Sequence, residues 1–376
     1  MSAASVDQER ILHLWRQGFR HAGHPVHSLR EIRRILIVKP SALGDIVHSL
    51  PLLGALRGNF PDAWIAWLVH KDFAAVLAGN GALDEVISWD RGRWDSTRRA
   101  WESLLGFGRF LRAIELGGFD LVIDLQGLFR SGLMSYATGA PVRVGFRSAR
   151  ELSHKFYNVR VDGPGIPMHA VDRYLLLADR LHLRRVSVDF PIVVDADARR
   201  RMRERFADVR DARRPLVLVS PAARWPSKEW TIDGFAYVAG ALVAERRAKV
   251  VFAGTARERS RADRIRARVG GDAVNLAGET SLKELVALLA DADLFLTNDS
   301  GPMHIADALA TPLVAVFGPT DPARTGPYRQ RRHVVCPPDL DCAPCLRRYC
   351  SDRRCMEAID PPSVLRLALK VLDREA

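Results

Sequence analysis

The chain has 376 residues and a hydrophobic fraction of 48%, which is enough for two domains of ordinary size and more than one typical core needs. No apolar run reaches the ~18 residues of a membrane helix and the N-terminus lacks the apolar stretch of a signal peptide, so we expect a cytoplasmic protein. The net charge is +12 with only seven Lys among 56 basic residues, an arginine excess that fits either an anionic partner or a solvated surface.

The first predicted element is an amphipathic helix over residues 8–22, within an N-terminal extension of residues 1–30. Such a basic helix can lie on a membrane surface or pack on its own domain, and packing is the commoner outcome. From residue 35 the pattern changes to alternating strands and helices. Buried strands are predicted at 35–38, 63–69, 86–88 and 121–124, and helices at 45–58, 71–79 and 94–116. This alternation predicts a parallel, doubly wound sheet.

A charged stretch at 195–214 precedes a second half with the same alternation. Its strands are predicted at 216–219, 250–254, 294–297 and 313–317, and its helices at 231–246, 258–269, 282–290 and 302–310. The predicted fold class is therefore α/β, with two Rossmann-like doubly wound domains at 31–195 and 196–376. Neither half opens with G-x-G-x-x-G and no Walker A motif is present, which disfavours a dinucleotide oxidoreductase. Since ligands bind beyond the carboxyl ends of such strands, we expect the site in a cleft between the two sheets.

The first motif, at 39–51, follows the first strand and places Asp45 at a helix start. Asp45 is either a helix N-cap, which is the favoured interpretation of this motif in isolation, or a general base at the mouth of the cleft.

The second motif, at 298–304, predicts a strand, a tight turn and a helix start. The amides of Ser300, Gly301 and Met303 and the helix dipole would form an anion site suited to a diphosphate, with Pro302 at the first helical position. An ordinary capped helix is the alternative.

The third motif, at 220–230, leaves the first strand of the second domain. It brings Arg224 and Lys228 near the expected cleft, where both could neutralise phosphate oxygens. The alternative is a solvated loop with Trp225 and Trp230 packed beneath it.

Taken together, the motifs resemble the bacterial glycosyltransferase family 9, which contains the lipopolysaccharide heptosyltransferases. Its pattern is present in order, as K-x-S-x-x-G-D-x-x-H-x-L-P at 39–51, K-x-W at 228–230, D-[ST]-G-x-x-H-x-x-x-A at 299–308 and G-P-T-D-P at 318–322. Arg150 and Glu151 before the Phe-Tyr-Asn at 156–158 are most similar to the heptosyltransferase I pattern. The resemblance runs from about residue 35 to the C-terminus.

This resemblance implies the GT-B architecture, with two domains facing a central cleft, the acceptor on the first domain and the donor on the second. It implies an inverting enzyme that uses ADP-heptose and requires no metal cofactor. Asp45 resembles the family's general base and Lys228 its contact to the donor diphosphate. The other donor-binding residues implied or suggested by position are Arg224, Glu258, Thr280, Asp299, Ser300, Gly301, Pro302 and His304.

The donor loop departs from heptosyltransferase I, because Ala223 and Arg224 stand where that group has small hydroxyl residues. Another nucleotide sugar is therefore an alternative donor. A non-catalytic sugar-nucleotide-binding protein is a second alternative, which the presence of Asp45 disfavours. A nucleic-acid binder is a third, and it lacks a recognition motif or an aromatic platform.

On the acceptor side, the resemblance implies a lipid A core that carries acidic Kdo sugars. Arg130, Arg150 and Arg160 are the expected carboxylate contacts, and plain surface charge is the alternative. The expected partners are thus a nucleotide-sugar donor, Kdo-lipid A and the inner-membrane surface, with no nucleic acid. We expect a protein peripheral to the cytoplasmic face of the inner membrane.

All five cysteines lie in a Cys-rich loop at 336–355. Cys342, Cys345, Cys350 and Cys355 could hold a structural Zn²⁺, but their spacings are not those of paired zinc knuckles, so we expect no metal. Unpaired thiols or a local disulfide are the alternatives.

Overall fold

The structure, a computed structural model, describes residues 32–90, 100–184, 187–211 and 214–374. The helix expected at 8–22 lies outside these residues, as does the start of the one expected at 94–116. The chain divides into two compact units, Met1–Asp189 and Phe190–Ala376, whereas the expected boundary lay between residues 195 and 196. Among the described residues, no helix is both long and apolar enough to cross a membrane.

The first unit is built on a six-stranded sheet. Its strands are β1 (Arg34–Val38), β2 (Trp64–His70), β3 (Glu85–Trp89), β4 (Leu121–Asp124), β5 (Val142–Phe146) and β6 (Val159–Val161). Its helices are α1 (Leu43–Asn59), α2 (Ala100–Glu115), α3 (Phe129–Ala137) and α4 (Ala170–Arg180), and 3₁₀ turns cover Lys71–Val76 and Ser153–Phe156. The turn at Lys71–Val76 replaces the α-helix expected over 71–79.

The second unit is built on another six-stranded sheet. Its strands are β7 (Leu216–Ser220), β8 (Lys249–Phe252), β9 (Ala273–Asn275), β10 (Leu294–Asn298), β11 (Leu313–Val316) and β12 (Val334–Val335). Its main helices are α5 (Ala196–Arg205), α6 (Ala207–Asp211), α7 (Ile232–Arg246), α8 (Arg259–Val269), α9 (Leu282–Asp291) and α10 (Gly301–Ala308). Shorter or C-terminal helices follow as α11 (Pro322–Thr325), α12 (Arg354–Glu357) and α13 (Pro361–Arg374), and 3₁₀ turns cover Pro226–Lys228 and Ala256–Glu258.

The two sheets have the same strand order when the second is counted from its other edge. The first runs β3-β2-β1-β4-β5-β6 and the second β12-β11-β10-β7-β8-β9, with every pair parallel. The order reverses between β1 and β4 in the first unit and between β7 and β10 in the second. These are the switch points at which open α/β sheets bind ligands, beyond the carboxyl ends of the strands. The predicted pair of doubly wound parallel sheets is confirmed.

Each sheet is covered by apolar side chains because its strands are buried on both faces. In the first unit, α2 and α3 pack their buried Ile114 and Met134 over Leu36 and Val122, while α1 packs against α4. In the second unit, the cluster under α7, α8 and α13 includes the fully buried Trp230 and Phe235. The strand-end loops are thus held on rigid supports.

The charged stretch at 195–214 contains two helices rather than a break in the pattern. Asp195 caps α5 by accepting from the Ala198 amide at 2.8 Å. Arg199 and Arg203 both bind the carboxylate of Asp291 at the end of α9, at 2.7 and 2.8 Å. The helix α5 buries only Ala198 and Met202, so these ion pairs stabilise its position. Its apolar face is too small to give a helical pattern in the sequence.

Candidate active-site residues in the two units

In the first unit, Lys39 and Asp45 meet at the switch point. Lys39 follows β1 and is 3% exposed, and its Nζ lies 3.6 Å from Oδ2 of Asp45. The same ammonium donates to the Leu125 carbonyl at 3.3 Å and lies 5.5 Å from the ring centroid of Tyr174 on α4. Lys39 therefore connects the loops after β1 and β4 and faces a carboxylate at the edge where ligands of this fold bind.

Asp45 is the third residue of α1. It is not the N-cap that its motif, taken in isolation, favoured. The cap is Ala42, whose carbonyl accepts the first helical hydrogen bond from Ile46. A side chain at the third position can reach back to the cap amide, and Oδ2 of Asp45 accepts from the Ala42 N–H at 3.2 Å. The contacts to Lys39 and Ala42 both use Oδ2, and the side chain is 43% exposed. This geometry leaves the carboxylate accessible to a substrate hydroxyl.

The charges of this pair stabilise each other. Burial alone would raise the pKa of Asp45, but the Lys39 ammonium and the Ala42 amide lower it below its ordinary value. Burial alone would likewise lower the pKa of Lys39, but Asp45, Tyr174 and Asp124 raise it above its ordinary value. Asp45 is therefore ionised at neutral pH and ready to accept a proton, although a lowered pKa makes it a weaker base.

Asp124, to which the sequence assigned no role, organises the loop after β4. Its Oδ1 accepts from the amides of Gln126 and Gly127 at 2.8 and 3.0 Å, and its Oδ2 accepts from the Tyr157 hydroxyl at 2.6 Å. Gln126 in turn accepts from the Ser41 amide at 3.1 Å. Burial raises the pKa of Asp124, against these hydrogen bonds. The network joins the two loops that flank the switch point, and a buried acidic residue ending a strand was the available signal.

The three expected acceptor contacts, Arg130, Arg150 and Arg160, are exposed. Arg130 is the second residue of α3 and its guanidinium lies 5.4 Å from the ring centroid of Trp89. The Arg150 amide donates to the Gly127 carbonyl at 3.0 Å. Arg130 and Arg150 thus follow β4 and β5 at the same edge as Asp45. Arg160 lies within the edge strand β6 and donates to the Tyr157 carbonyl at 3.3 Å.

In the second unit, Lys228 and Asp299 meet at the other switch point. The Nζ of Lys228 lies 2.6 Å from Oδ2 of Asp299, which also accepts from the Thr320 hydroxyl at 2.6 Å. The ammonium also lies 4.5 Å from the ring centroid of Trp225. Asp299 is 6% exposed, so its charge needs this counter-ion. Three of the sequence motifs, at 220–230, 298–304 and 318–322, therefore converge on one ion pair.

The turn after β10 leads directly into α10. Ser300 is the N-cap and its hydroxyl lies 3.0 Å from that of Thr297. The helix begins at Gly301, so Pro302 occupies the second helical position, whereas the sequence predicted the first. Either position suits proline, because the first four helical N–H groups have no partner within the helix. His304 is buried, at 7% exposure, one turn into the helix.

The loop that carries Lys228 is fastened to its surroundings rather than solvated. Trp230 is fully buried, and Arg261 donates from Nε to the Pro221 carbonyl at 2.9 Å and from Nη2 to the Trp230 carbonyl. Arg224 is exposed at the outside of this loop. The structure thus holds Lys228 in place and leaves Arg224 accessible.

Glu258 and Thr280 lie on neighbouring loops after β8 and β9. Glu258 accepts from the Thr255 amide at 2.6 Å, which caps the start of its own turn. The Gly278 amide donates to the Gly254 carbonyl at 2.8 Å, and Gly278 has a φ of +81° with no room for a side chain beside Ala256. Thr280 is partly buried and directly precedes the cap of α9. The geometry brings their two loops together at the strand edge.

The five cysteines are free thiols in the structure. Burial and the nearby Cys342, Cys345 and Cys350 raise the pKa of the Cys355 thiol. No group of three His, Cys, Asp or Glu side chains in the described ranges is arranged to hold a metal ion. The Cys-rich loop packs on the motif at 318–322, because the Leu346 amide donates to the Pro319 carbonyl at 2.8 Å and Cys355 lies beside Gly318.

Comparison with known proteins decides the family. The sequence profile of glycosyltransferase family 9 (heptosyltransferase) matches residues 107–355, more than half of the chain. The chain belongs to this family. It is 32% identical to lipopolysaccharide heptosyltransferase 1 of Pseudomonas aeruginosa, over 85% of this chain and 87% of that one. It is 30% identical to lipopolysaccharide heptosyltransferase 2 of Escherichia coli, over 80% of this chain and 87% of that one.

Solved structures agree with this assignment. The E. coli heptosyltransferase WaaC with ADP has a TM-score of 0.71 and 26% sequence identity, and the match covers 90% of this chain and 99% of that one. The protein is a glycosyltransferase with the α/β architecture of GT-B enzymes, as the sequence motifs predicted. Its identity to the type 1 and type 2 enzymes is similar, at 32% and 30%.

Proposed function

We propose that the protein transfers a heptose from ADP-heptose to the Kdo-containing inner core of lipopolysaccharide, with inversion at the anomeric carbon. Two observations on relatives support the donor and the pathway: several are lipopolysaccharide heptosyltransferases by name, and WaaC binds ADP. The observation that carries the chemistry is the accessible Asp45 carboxylate, ionised beside Lys39 at the switch point of the first sheet.

The reaction assigns Asp45 as the general base. Its carboxylate accepts the proton of the acceptor hydroxyl while that oxygen bonds to the anomeric carbon of the donor. The bond from the anomeric carbon to the β-phosphate oxygen breaks at the same time, and ADP leaves with the bonding electrons. A single displacement of this kind inverts the anomeric configuration.

Charge on the departing ADP requires stabilisation, which we assign to the second unit. Lys228 would contact the diphosphate together with the amides of Ser300 and Gly301 at the start of α10. Its ion pair with Asp299 keeps the ammonium at the strand edge until a phosphate arrives. The remaining donor contacts in this proposal are Arg224, Glu258, Thr280, Pro302 and His304.

The first unit would bind the acceptor. Kdo carries a carboxylate, and Arg130, Arg150 and Arg160 are exposed guanidinium groups of that unit. Because such an acceptor is anchored in lipid, we assign the protein to the cytoplasmic face of the inner membrane.

A second donor is favoured by one observation, the exposed Arg224 in the loop that precedes Lys228. An additional cation there suits a nucleotide sugar with different phosphate or sugar contacts. Turnover of Kdo-lipid A should be measured with ADP-heptose beside ADP-glucose, GDP-mannose and UDP-glucose, and the product linkage determined by NMR. Turnover with ADP-heptose and an inverted linkage is expected. Preference for another sugar would replace the donor, and a retained configuration would exclude the single displacement.

A further inference from the structure

The peptide group between Glu229 and Trp230 lies one residue beyond Lys228 in the chain. Both its N–H and its carbonyl oxygen are hydrogen-bonded to side chains. Asn298 accepts from the Trp230 N–H at 2.8 Å. Arg353 donates from Nη2 to the Glu229 carbonyl oxygen. Asn298 comes from the end of β10, next to Asp299, whereas Arg353 comes from the Cys-rich loop 124 residues away in sequence. Both polar atoms of one peptide are therefore fixed by distant side chains.

Arg353 lies in surroundings that oppose its burial. Its Nε is buried and, in the part of the chain that the structure describes, has no hydrogen-bond partner. A second guanidinium, that of Arg261, lies beside it and binds the Glu229 carboxylate at 3.3 Å; burial lowers the pKa of Arg261 and Arg353 lowers it further. A buried N–H without an acceptor and a like charge nearby both destabilise the folded state. Stability alone does not explain an arginine at this position.

The rest of the Cys-rich loop contacts the same segment. The Ser227 hydroxyl donates to the Arg347 carbonyl at 2.7 Å, and the guanidinium of Arg348 lies 5.3 Å from the ring centroid of Trp225. Trp225 is also the ring beside which the Lys228 ammonium lies. Residues 347, 348 and 353 thus contact three neighbours of Lys228 in the chain, which are Ser227, Trp225 and Glu229.

We propose that Arg353 is a positioning residue, which fixes the Glu229–Trp230 peptide and so aims the Lys228 ammonium at the donor diphosphate. The proposal rests on the donor-binding role proposed above for Lys228. For Lys228 to exchange Asp299 for a phosphate, its side chain must turn while its backbone stays in place. Hydrogen bonds between the Glu229–Trp230 peptide and the side chains of Asn298 and Arg353 meet that requirement, because they fix the backbone next to Lys228. Without them the backbone would move together with the side chain.

The test compares Arg353→Met with Arg354→Met in the full-length protein. Arg354 is the next residue on α12, is 64% exposed at its side chain and pairs with Asp352 at 2.6 Å, so it is a matched control. ADP affinity is measured by calorimetry and the unfolding temperature by scanning calorimetry. We expect Arg353→Met to weaken ADP binding roughly 10-fold, the scale of one impaired charge-assisted contact to phosphate. The unfolding temperature should be unchanged or higher, because the like charge beside Arg261 is removed. Arg354→Met should change neither, and Arg353→Lys should recover part of the affinity.

The same substitution in a Lys228→Met background separates the two proposals. If Arg353 acts through Lys228, Arg353→Met should have less than a twofold further effect on ADP affinity there. An equal loss in both backgrounds, or normal ADP affinity in Arg353→Met alone, would overturn the positioning role while leaving the role of Lys228 intact. Normal ADP affinity in Lys228→Met would instead remove the donor role of Lys228, and the positioning role with it. A loss of affinity in Arg353→Met that only tracks a lower unfolding temperature would also count against the proposal.

Discussion

Nζ of Lys39 lies 3.6 Å from Oδ2 of Asp45, and this buried ammonium keeps a partly exposed carboxylate ionised at the carboxyl end of the first sheet. The two residues are six positions apart, yet one directly follows a strand and the other lies in the first turn of a helix. The pair defines both what Asp45 can do chemically and how its activity should depend on pH.

Replacing Asp45 with Asn should remove the base without removing the helix contact, because an amide oxygen can still accept from Ala42. We expect turnover to fall about 10²–10⁴-fold, the usual contribution of a general base. ADP affinity should stay within about twofold, since the carboxylate is assigned to the acceptor. Steady-state kinetics and calorimetry check both quantities. Asp62→Asn, on an exposed turn, is the control, and wild-type turnover in Asp45→Asn would exclude Asp45 as the base.

Replacing Lys39 with Met should move the acid limb of the kcat/KM profile to higher pH. The folded pKa of Asp45 is lowered chiefly by Lys39 acting against burial, so without the ammonium burial raises that pKa and the carboxylate protonates at higher pH. The base is then active over a narrower range on the acid side. Lys71→Met, at an exposed ion pair with Asp90, should leave the profile unchanged. An acid limb that stays in place in Lys39→Met would show that this charge does not control the titrating group.

Replacing Lys228 with Met should weaken ADP binding and destabilise the second unit. The substitution removes the counter-ion of the buried Asp299, which we expect to lower the free energy of unfolding by about 3 kcal/mol. ADP affinity should fall roughly 10–100-fold, because a charge-assisted contact to phosphate is lost. Urea unfolding and calorimetry measure the two effects. Lys283→Met, which breaks an exposed pair with Asp195, is the control; equal effects of both substitutions would contradict a specific role for Lys228.

Replacing Gly145 with Ala should destabilise the first unit through Tyr157. A Cβ at this position on β5 would overlap the ring of Tyr157, whose hydroxyl donates to Asp124 and so supports the loop after β4. Overpacking of this kind lowers the free energy of unfolding by about 1–3 kcal/mol. Gly240→Ala in α7, where a Cβ meets no described atom within 4 Å, should instead raise stability by about 1 kcal/mol. Thermal unfolding of both variants measures the contrast, and a stable Gly145→Ala would mean that Tyr157 can move freely.

Replacing Arg150 with Ala should raise KM for an acidic acceptor and leave ADP affinity unchanged. The exposed guanidinium is assigned to a Kdo carboxylate, and a partly solvated charge pair of this kind contributes about 1 kcal/mol, or roughly fivefold in KM. The effect should shrink as ionic strength rises. Arg112→Ala, at an exposed pair with Glu115 on α2, serves as the control. An unchanged KM would assign Arg150 to the solvated surface.

The local pattern predicted most of the buried strands but not every element, since it missed β5, β6, α3, α4 and α13. The apolar runs at β1, β2, β4, β7, β10 and β11 are confirmed as buried parallel strands. The pattern also did not predict β9 or β12, which have three and two residues and of which only Asn275 is buried. It also missed α5, since Arg199 and Arg203 depend on Asp291 for their role. Partners that are distant in sequence cannot be recognised from one segment.

By itself the sequence determined that polar motifs stand at the ends of buried strands, because strands and tight turns depend on residues within a few positions. Tertiary structure alone decided which of those motifs meet. Lys228 and Asp299 are 71 residues apart and pair because β7 and β10 are neighbours across a switch point. In the same way, packing within each unit brings Arg353 to the Glu229–Trp230 peptide and Tyr157 to Asp124. Strand order and side-chain burial are properties of the assembled sheet, so no local signal contains them.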